Sequence, residues 1–504
     1  MVTVSDLVGA LGGERGSTRR ELDPTVSDVH IDSRRVSRGD LFCALPGLEV
    51  DGASYAAAAL ERGAVCVLTQ RPLELDAATW IHPEARRVAG EAAAIVHGHP
   101  SHSQSVIGVT GTNGKTTVVH LAASLLAFAG RKPGRLGTIE VALWGRTPEP
   151  ATHTTPDATE LQRLLEKNGQ GGGDCFLLEA SSHALDQERL SGLGLDVAVF
   201  TNLGHDHLDY HTDLESYAAA KERIFLALKP GGAAVVNADD PLAKRFCRAA
   251  RRSSDRVVTY GIGSDADLCA ELTEVGPRGT HLFLEGMGIS RTGLFLPLVG
   301  RHNVENALAA SAAVLLLGAS PSRALEGLAS VSAPRGRLEE VLVAKRHGFQ
   351  VFIDYAHTPD ALERVLSTLR EISMLAREAE SDDHALFEGR LICLFGCGGD
   401  RDREKRGSMG EVVGRLADLA LVTSDNPRSE DPDAIILEVL AGLRRTPCDV
   451  IVEPDRRAAI RRVLREAEPG DVVLIAGKGH ESWQHSRGKR IPFEDSRVVR
   501  EELP

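Results

Sequence analysis

The sequence of 504 residues contains no apolar run long enough to cross a bilayer. Its longest apolar stretch, residues 307–319, is too short for that purpose. The N-terminus also lacks the basic start, apolar core and small-residue cleavage site of a secretory signal. We therefore expect a soluble, cytoplasmic protein that makes no contact with a membrane.

A basic surface is also missing, because the formal net charge is −13. Nonspecific nucleic-acid binding needs a basic field, so we expect no nucleic-acid partner, whereas small anionic substrates remain compatible. The eight cysteines include no C-x-x-C pair. We interpret Cys393 and Cys397, which flank a predicted strand end, as small buried apolar residues, and we expect no disulfides.

The chain does contain a glycine-rich loop between a predicted strand and a predicted helix, at residues 108–117. Such a turn aims backbone N–H groups and the positive helix end at one point. Lys115 adds a cation there, and the Thr116 hydroxyl can bind Mg²⁺. The loop therefore predicts a phosphate site for ATP. Its predicted ATP-binding residues are Gly111, Thr112, Asn113, Gly114, Lys115, Thr116 and Thr117.

The loop is not a strict Walker A motif, because Val109 stands where that motif has its first glycine. This departure counts against a P-loop kinase or a transport ATPase. The variant Thr-Gly-Thr-Asn-Gly-Lys-Thr is intact. A glycine-rich turn that binds no ligand is the remaining alternative.

The length and patterning predict three domains, at residues 1–102, 103–335 and 336–504, without internal repeats. In the second, apolar runs alternate with helical patterns, which predicts a largely parallel sheet with helices on both faces. The predicted strands are 105–110, 175–180, 196–201, 232–237 and 256–260, and the predicted helices lie near 115–129, 157–167, 214–228 and 303–317. A polar, β-rich stretch near 265–298 interrupts this pattern, and the third domain repeats the architecture. We interpret the strands of the third domain as buried; they lie at 349–354, 391–395, 419–423, 450–453 and 472–476.

Carboxylates and histidines follow two further predicted strands. Glu179 ends a strand beside the loop, where it could hold Mg²⁺ directly or through water; a surface glutamate is the alternative. His205, Asp206, His207 and Asp209 form a second cluster. Alone this cluster suggests zinc, but no cysteine ligand or H-E-x-x-H motif accompanies it. We therefore favour a hard-metal site that serves phosphate.

Lys221 lies on a mostly apolar predicted helix. The simpler interpretation is that its stem follows apolar surface while its ammonium reaches water. Alternatively, burial lowers its pKa enough for the amine to react with CO₂. The resulting carbamate would be an oxygen ligand for a second Mg²⁺. The residues alone leave both interpretations open.

Together these motifs resemble the Mur ligases of peptidoglycan assembly. Residues 32–34 and 39–42 resemble the N-terminal domain that receives the UDP end of the substrate, and 302–304 and 334–337 resemble elements that meet adenine and phosphate. Residues 354–359 resemble the opening of the C-terminal domain. The resemblance covers nearly the whole chain. It implies an α/β protein of three domains: a UDP-substrate-binding domain, a central parallel-sheet P-loop ATPase domain and a C-terminal Rossmann-like domain that binds an amino acid.

Within the family, the sequence is similar to the branch that adds the third peptide residue. That branch joins meso-diaminopimelate to the D-Glu γ-carboxylate of UDP-N-acetylmuramoyl-L-Ala-D-Glu. The run 425–428, Asp-Asn-Pro-Arg, resembles the motif that selects diaminopimelate over L-lysine. A guanidinium can clamp the additional carboxylate through two parallel bonds, and Arg428, helped by Arg401, would supply it. The alternatives are the same ligation with L-lysine, a folylpolyglutamate synthetase-like ligase, and a non-catalytic nucleotide-binding scaffold.

The resemblance implies roles for particular residues. The catalytic residues are Lys115, Lys221 and His207, and the ligands of two Mg²⁺ ions are Thr116, Glu179, His207 and carbamylated Lys221. Further ATP-binding residues are Asn303, Arg337 and Asp354. The UDP-substrate-binding residues are Ile31, Ser33, His153, Thr154, Thr155, Ser181, Gln187 and Arg189. The diaminopimelate-binding residues are Arg401, Asp425, Asn426, Pro427, Arg428, Gly477 and Glu481.

The implied chemistry begins with attack of the D-Glu γ-carboxylate on the ATP γ-phosphate. An acyl phosphate forms, the incoming amine attacks it, and phosphate leaves. Because amine and acyl phosphate come from different predicted domains, we expect domain closure about a linker at 100–104 and a hinge at 333–337. We expect the protein to be a monomer.

Overall fold

The computed structural model describes residues 1–16, 23–47, 50–204, 206–207, 210–263, 265–276, 278–378, 389–486 and 488–503. Within these ranges, no helix combines the length and the apolar character needed to cross a membrane.

The first hundred residues fold around a sheet in the order β2-β7-β6-β5-β4, whose strands are parallel except for β2. Separate apolar clusters cover the two faces of this sheet, which explains why the strands β5 and β6 are fully buried. The elements are β1 (Val2–Thr3), α1 (Val4–Leu11), β2 (Glu14–Gly16), β3 (Thr25–Val26), β4 (Val29–His30), β5 (Leu41–Ala44), α2 (Ala56–Glu61), β6 (Cys66–Thr69), β7 (Ala78–Ile81) and α3 (Ala85–Val96).

The middle of the chain forms a long sheet in the order β11-β10-β9-β12-β8-β13-β14-β15-β16-β17-β18. In this order, the seven strands β9, β12, β8, β13, β14, β15 and β16 are parallel to one another. Antiparallel strands extend the sheet at both ends: β10 and β11 at one, and β17 and β18 at the other. The strands are β8 (Ser105–Thr110), β9 (Pro133–Leu136), β10 (Glu140–Ala142), β11 (Glu149–Pro150), β12 (Cys175–Glu179), β13 (Leu195–Phe200), β14 (Leu228–Asn237), β15 (Arg256–Ile262), β16 (Leu268–Gly276), β17 (Gly279–Gly286) and β18 (Ile289–Leu296). The helices are α4 (Lys115–Phe128), α5 (Ala158–Gln170), α6 (Ser182–Asp186), α7 (Leu214–Glu222), α8 (Ala243–Ala250), α9 (Arg301–Leu316) and α10 (Pro321–Leu328).

The register of this sheet decides where a site can form. Ile107 of β8 lies opposite Leu177 of β12 on one side and Val197 of β13 on the other. Because these three strands are parallel and aligned, their carboxyl ends meet at one edge. That edge is where open α/β sheets bind their ligands.

The last part of the chain forms a sheet in the order β19-β20-β24-β21-β22-β23, parallel except for β19. A hairpin of β25 and β26 follows it. The strands are β19 (Glu339–Glu340), β20 (Gln350–Asp354), β21 (Leu391–Phe395), β22 (Leu419–Val422), β23 (Asp449–Val452), β24 (Val472–Ala476), β25 (Trp483–Ser486) and β26 (Lys489–Pro492). The helices are α11 (Pro359–Glu378), α12 (Glu404–Leu416), α13 (Pro432–Leu443), α14 (Arg456–Glu466) and α15 (Asp495–Glu502).

The α/β architecture and the parallel central sheet predicted from the sequence are confirmed, and Cys393 and Cys397 are buried. One strand prediction is wrong in its burial. β23 is an edge strand, and Val450 and Val452 are each 40% exposed, because the strand has a neighbour on one side only. The segment 100–104, predicted as a linker, packs against the middle part of the chain, since Gln104 is buried and donates to Leu165 O of α5 at 2.8 Å.

A histidine links the predicted first and second domains. His97 follows α3, and its Nε2 lies 3.0 Å from Asp28 Oδ1 while its Nδ1 lies 2.8 Å from Glu166 Oε2 on α5. Burial opposes the charged ring, but the two carboxylates outweigh burial and raise the pKa of His97. Asp28 also accepts a bond from Arg163 at 3.0 Å.

We expect His97→Gln to lower stability most at acidic pH, by about 1–2 kcal/mol, because it removes hydrogen bonds between charged groups. The contribution of a raised pKa is complete below the unfolded value of about 6.5 and is lost as pH rises through the folded pKa. Thermal melting from about pH 5.5 to about pH 9 checks this, with His281→Gln, an exposed histidine, as control. A destabilisation that stays constant or grows with pH would contradict the prediction.

Candidate active site

The glycine-rich loop joins β8 to α4 and is pressed against two neighbouring elements. Gly111 has a φ of 152° and Gly114 a φ of 86°. A Cβ at Gly111 would lie 1.8 Å from Thr201 Oγ1, and one at Gly114 would lie 2.3 Å from Asn306 Oδ1. Both positions therefore require glycine, since a side chain would meet the end of β13 or the helix α9.

Hydrogen bonds from the end of β13 fix the tip of this loop. The Asn113 N–H donates to Asn202 Oδ1 at 2.9 Å, and Thr201 Oγ1 donates to Asn113 O at 2.6 Å. The Asn113 Nδ2 donor is buried without a hydrogen-bond partner among the described residues. In the same part of the structure, no side chain caps the N-terminus of α4, which begins at Lys115. Free donors at a helix N-terminus fit an anionic ligand such as phosphate.

Two lysines, one partly and one fully buried, meet the loop at the same carbonyl oxygen. Lys115 Nζ donates to Gly111 O at 2.8 Å and to Thr112 O at 2.9 Å, and Lys221 Nζ donates to Gly111 O at 2.8 Å. Burial lowers the pKa of Lys115. Burial and the Lys115 charge lower the pKa of Lys221 well below its usual range. Lys221 is 1% exposed, so the interpretation in which its ammonium reaches water is wrong.

Lys221 also lies against an aromatic ring at the end of α7. Its Nζ is 4.4 Å from the centre of the Tyr217 ring, and Tyr217 Oη lies 3.2 Å from Thr112 Oγ1. The helix predicted for 214–228 is confirmed over Leu214–Glu222 and continues as a 3₁₀ turn, Arg223–Ala227. This packing explains the burial of Lys221, because the Tyr217 ring and the glycine-rich loop enclose its amine.

Glu179 ends β12 and is 1% exposed, so the surface-glutamate alternative is wrong. Its carboxylate accepts from the Thr138 N–H at 2.7 Å and from Thr138 Oγ1 at 3.0 Å. Gly137 makes room for it, since a Cβ there would lie 2.1 Å from Glu179 Oε1. The turn after β9 therefore holds this carboxylate beside the glycine-rich loop.

The remaining predicted metal ligands lie around the same edge. Arg337 donates to Thr116 Oγ1 at 3.2 Å, and burial lowers the pKa of His207 to about 4, which leaves its ring neutral. Within the described ranges, no three His, Cys, Asp or Glu side chains are grouped to hold a metal by themselves. His205 and Asp209, named in the predicted cluster, lie outside the described residues. The Thr116 hydroxyl and the Glu179 carboxylate are oxygen ligands of the kind that a hard divalent cation prefers, and the neutral His207 ring adds a nitrogen that can bind a metal.

These elements enclose a cavity of about 260 Å³ at the carboxyl edge of the middle sheet. Asp354, at the end of β20, lines it too, and burial raises the pKa of this carboxyl. The predicted site residues that the cavity brings together are Thr112, Asn113, Gly114, Lys115, Thr116, Thr117, Thr154, Glu179, Ser181, His207, Lys221, Asn303, Arg337 and Asp354. Lining residues that the prediction missed include Thr138, Asn306, Tyr355, His357 and Arg364.

A second cleft, of about 570 Å³, lies between the first and middle parts of the chain. Ile31, His153, Gln187 and Arg189 line it, as predicted for one substrate site. Ser33 does not line either cavity, because it begins a 3₁₀ turn whose neighbours face the cleft instead.

Thr155 connects the two cavities. Its Oγ1 donates to Glu179 O at 2.7 Å, and its own carbonyl accepts from Arg189 at 2.7 Å. Arg189 also donates to Gln187 Oε1 at 2.7 Å. A ligand in the second cleft could therefore extend past Thr154 and Ser181 into the first cavity.

Polar residues from the last sheet form a third group, at the carboxyl ends of β22 and β24. Asn426 Nδ2 donates to Glu481 Oε2 at 2.8 Å, and the Gln484 side chain donates to Asp425 O at 2.8 Å. Gly477, with a φ of 106°, turns the chain beside the Asp425 carboxylate. Pro427 is buried next to them. This amino-acid corner, defined as Asp425, Asn426, Arg428, Gly477, Lys478 and Glu481, brings most of the predicted diaminopimelate residues together.

The two arginines predicted as a pair occupy different environments. Arg428 is half-buried, has a φ of 52°, and donates to Gly399 O at 2.5 Å. Arg401 is exposed, on the turn that contains Gly399 and follows β21. The buried Arg406 ties the turn to α12 by donating to Gly398 O at 3.2 Å and to Glu430 Oε1 at 2.8 Å.

Comparisons with known proteins match three consecutive parts of the chain to domains of one family. The family model of the Mur ligase middle domain matches residues 109–314, that of the Mur ligase, glutamate ligase domain matches 336–479, and that of the Mur ligase family, catalytic domain matches 25–107. The UDP-N-acetylmuramoyl-L-alanyl-D-glutamate--2,6-diaminopimelate ligase of Synechococcus elongatus is 42% identical over 490 residues, covering 95% of this chain and 94% of that protein.

Solved structures give the same picture. A UDP-N-acetylmuramoyl-L-alanyl-D-glutamate--2,6-diaminopimelate ligase is 33% identical, with a TM-score of 0.69, over 100% of this chain and 99% of that chain. The folylpolyglutamate synthase of Mycobacterium tuberculosis, solved with ADP and AMPPCP, is 23% identical with a TM-score of 0.61, over 77% of this chain and 91% of that chain. At that identity the second likeness shows a shared fold only.

Proposed function

The chain belongs to the Mur ligase family, and we propose that it joins meso-diaminopimelate to the D-Glu γ-carboxylate of UDP-N-acetylmuramoyl-L-Ala-D-Glu at the expense of ATP. The observation that carries this proposal is the amino-acid corner at the end of the last sheet. The relatives named as ligases of 2,6-diaminopimelate also match this chain over nearly their full length. The folylpolyglutamate synthetase-like alternative leaves residues 25–107 unexplained.

We propose residues 1–102, 103–335 and 336–504 as the substrate, nucleotide and amino-acid domains. ATP and UDP-linked precursors are cytoplasmic compounds, so we place the reaction in the cytoplasm. We also propose that the protein is a monomer. A carboxylate is a poor electrophile, and the amide therefore requires activation by ATP. Phosphoryl transfer depends mainly on positioning and charge neutralisation, which the loop amides, Lys115 and Arg337 would supply.

The first cavity suits the triphosphate, since donors such as Asn113 Nδ2 and Arg337 Nε are buried there without protein partners in the described ranges. Thr116, Glu179, His207 and Lys221 are the residues that would hold Mg²⁺, which when bound neutralises phosphate charge. We propose that Lys221 does so as a carbamate. Its enclosure beside the loop supports this, because a neutral amine reacts with CO₂.

The UDP-substrate would lie in the second cleft, with its peptide directed past Thr155 towards the nucleotide. Ser181, Gln187 and Arg189 would hold the muramoyl-dipeptide, and Ile31, His153 and Thr154 would contact the rest. This route brings the γ-carboxylate to the γ-phosphate. Arg337 already joins the third part of the chain to Thr116 at 3.2 Å, which supports a closed arrangement in which the amine can reach the acyl phosphate.

The test is phosphate release from ATP with the UDP-dipeptide and either meso-diaminopimelate or L-lysine. We expect the native protein to prefer diaminopimelate by at least about 100-fold in kcat/KM, because a charged bidentate contact is worth about 3 kcal/mol. Arg428→Ala should reduce this preference to within about tenfold.

Arg428→Lys serves as the matched variant, since it retains the charge without the planar fork and should fall between the two. Release that requires lysine, or that ignores the UDP-dipeptide, would overturn the proposed function. An unchanged preference in Arg428→Ala would place the clamp elsewhere, and Arg401 would be the next candidate.

A further inference from the structure

Lys478 is a fully buried cation at the centre of the amino-acid corner, and no role in the reaction above has been given to it. Its Nζ donates to Glu481 Oε2 at 2.8 Å and to Asn426 Oδ1 at 3.2 Å. It lies 3.8 Å from Asp425 Oδ1. A cation in this place can hold Asn426 and Glu481 in position and offset the negative charge of the two carboxylates.

The Asp425 carboxylate retains a free acceptor in this arrangement. Its Oδ1 is buried and has no hydrogen-bond partner among the described residues, and Lys478 stands beyond hydrogen-bond distance from it. Glu481 Oε2, in contrast, accepts from both Lys478 and Asn426. A buried carboxylate oxygen without a protein partner fits an ammonium group supplied by a ligand.

The charges of the corner balance. Asp425 and Glu481 contribute two negative charges, and Lys478 and Arg428 contribute two positive ones. Burial is the main cause that raises the pKa of the nearby Tyr355 hydroxyl to about 12; the charges of Glu481 and Asp425 also raise it, and those of Arg337 and Arg428 lower it. Arg337 lies outside the corner, where it donates to Thr116. The neighbouring Arg456 does not disturb this balance, because it pairs with Asp495 at 2.8 Å.

A neutral corner with separated charges matches a zwitterion. The distal end of diaminopimelate carries one ammonium and one carboxylate, whereas the distal end of lysine carries an ammonium alone. Without Lys478 the corner would carry a net negative charge, which favours a lone ammonium. Electrostatic complementarity of this kind sets specificity more than it sets affinity.

We propose that Lys478 is a specificity-determining positioning residue: it holds Asn426 and Glu481 in place and sets the charge of the corner to that of a zwitterionic amino-acid end. This inference rests on the proposed function and deepens it. Lys478 acts through its neighbours, since it is enclosed by them and leaves Asp425 and Arg428 to contact the ligand.

The test is the ratio of kcat/KM for diaminopimelate to that for L-lysine. Lys478→Met should lower this ratio by at least about tenfold, mainly through a higher KM for diaminopimelate, with the KM for ATP unchanged. Lys478→Arg, which keeps the charge, should retain the preference. Lys345→Met is the matched control, because Lys345 pairs with Glu340 at 2.9 Å outside the corner, and it should leave the ratio unchanged.

A second substitution separates charge from structure. Adding Asp425→Asn to Lys478→Met restores a neutral corner and should move the ratio back towards diaminopimelate, even though turnover stays low. If Lys478→Met does not fold, Lys478→Gln is measured in its place. Equal losses with both amino acids, at an unchanged ratio, would overturn the inference. A native protein that prefers lysine would instead overturn the proposed function.

Discussion

Lys115→Met is expected to reduce ATP-dependent turnover by roughly 10³-fold, in line with the loss of one preorganised charge contact to a transition state. Lys115 is partly buried beside the glycine-rich loop, where its amine donates to two loop carbonyls. A triphosphate in the cavity would offer this amine a better partner than a neutral carbonyl. Methionine has a similar length and no charge, so the substitution removes the cation and little else.

Stability distinguishes this loss from unfolding. Burial lowers the pKa of Lys115, so its charge costs folding free energy in the unliganded protein, and methionine should leave the melting temperature equal or higher. Lys132→Met, at an exposed lysine of the same predicted domain, is the matched control and should keep full activity. Turnover of the Lys115 variant within tenfold of the native value would remove the phosphate role from this loop.

Local patterns predict the fold well wherever a strand lies between two covered faces. The apolar run at 105–110 is β8 as predicted, because a central parallel strand must be apolar on both sides. The same reasoning fails at β23, where Val450 and Val452 have a similar composition at an edge. β9 is not predicted, for the opposite reason. Pro133 and Gly134 are poor strand formers, but their segment is nevertheless a strand because it pairs with β12.

The site is predictable where its chemistry is contiguous in the sequence. The loop residues from Gly111 to Thr117 carry their own signal. Thr138 and Asn306 do not, because they reach the cavity through an unpredicted strand and through the middle of α9. Their role depends on tertiary packing, as does the burial of Lys221.

Two further residues could have been found from the sequence. Asn202, which fixes the loop tip, lies in the run that supplied Asp206 and His207. Lys478 stands directly beside Gly477 and three residues before Glu481. Both lie within a few residues of predicted ligands, and the prediction named those ligands rather than their neighbours. Structure adds the hydrogen-bond partners that show which member of a motif supports the others.

The second large predicted effect is a loss of turnover on substitution of the buried Lys221. Lys221→Met should reduce turnover by about 10²–10³-fold if its carbamate holds a metal, since removing a ligand costs charge neutralisation at the transferred phosphate. The unmodified amine already meets Gly111 O at 2.8 Å and the Tyr217 ring, next to the second amine of Lys115. Burial and the Lys115 charge lower the pKa of Lys221, which favours a neutral amine that can react with CO₂. The carbamate anion that forms would lie beside the Lys115 cation.

The carbamate itself gives a readout that does not depend on activity. Native protein equilibrated with ¹³C-bicarbonate should show one enriched carbonyl resonance that Lys221→Met lacks and that Lys229→Met retains, because Lys229 pairs with Asp196 at 2.6 Å elsewhere in the domain. Depleting CO₂ should slow the native enzyme, and bicarbonate should restore it. Native turnover that ignores bicarbonate, together with no enriched resonance, would mean that Lys221 acts as the amine. Its position beside Lys115 would then make it a second phosphate contact rather than a metal ligand.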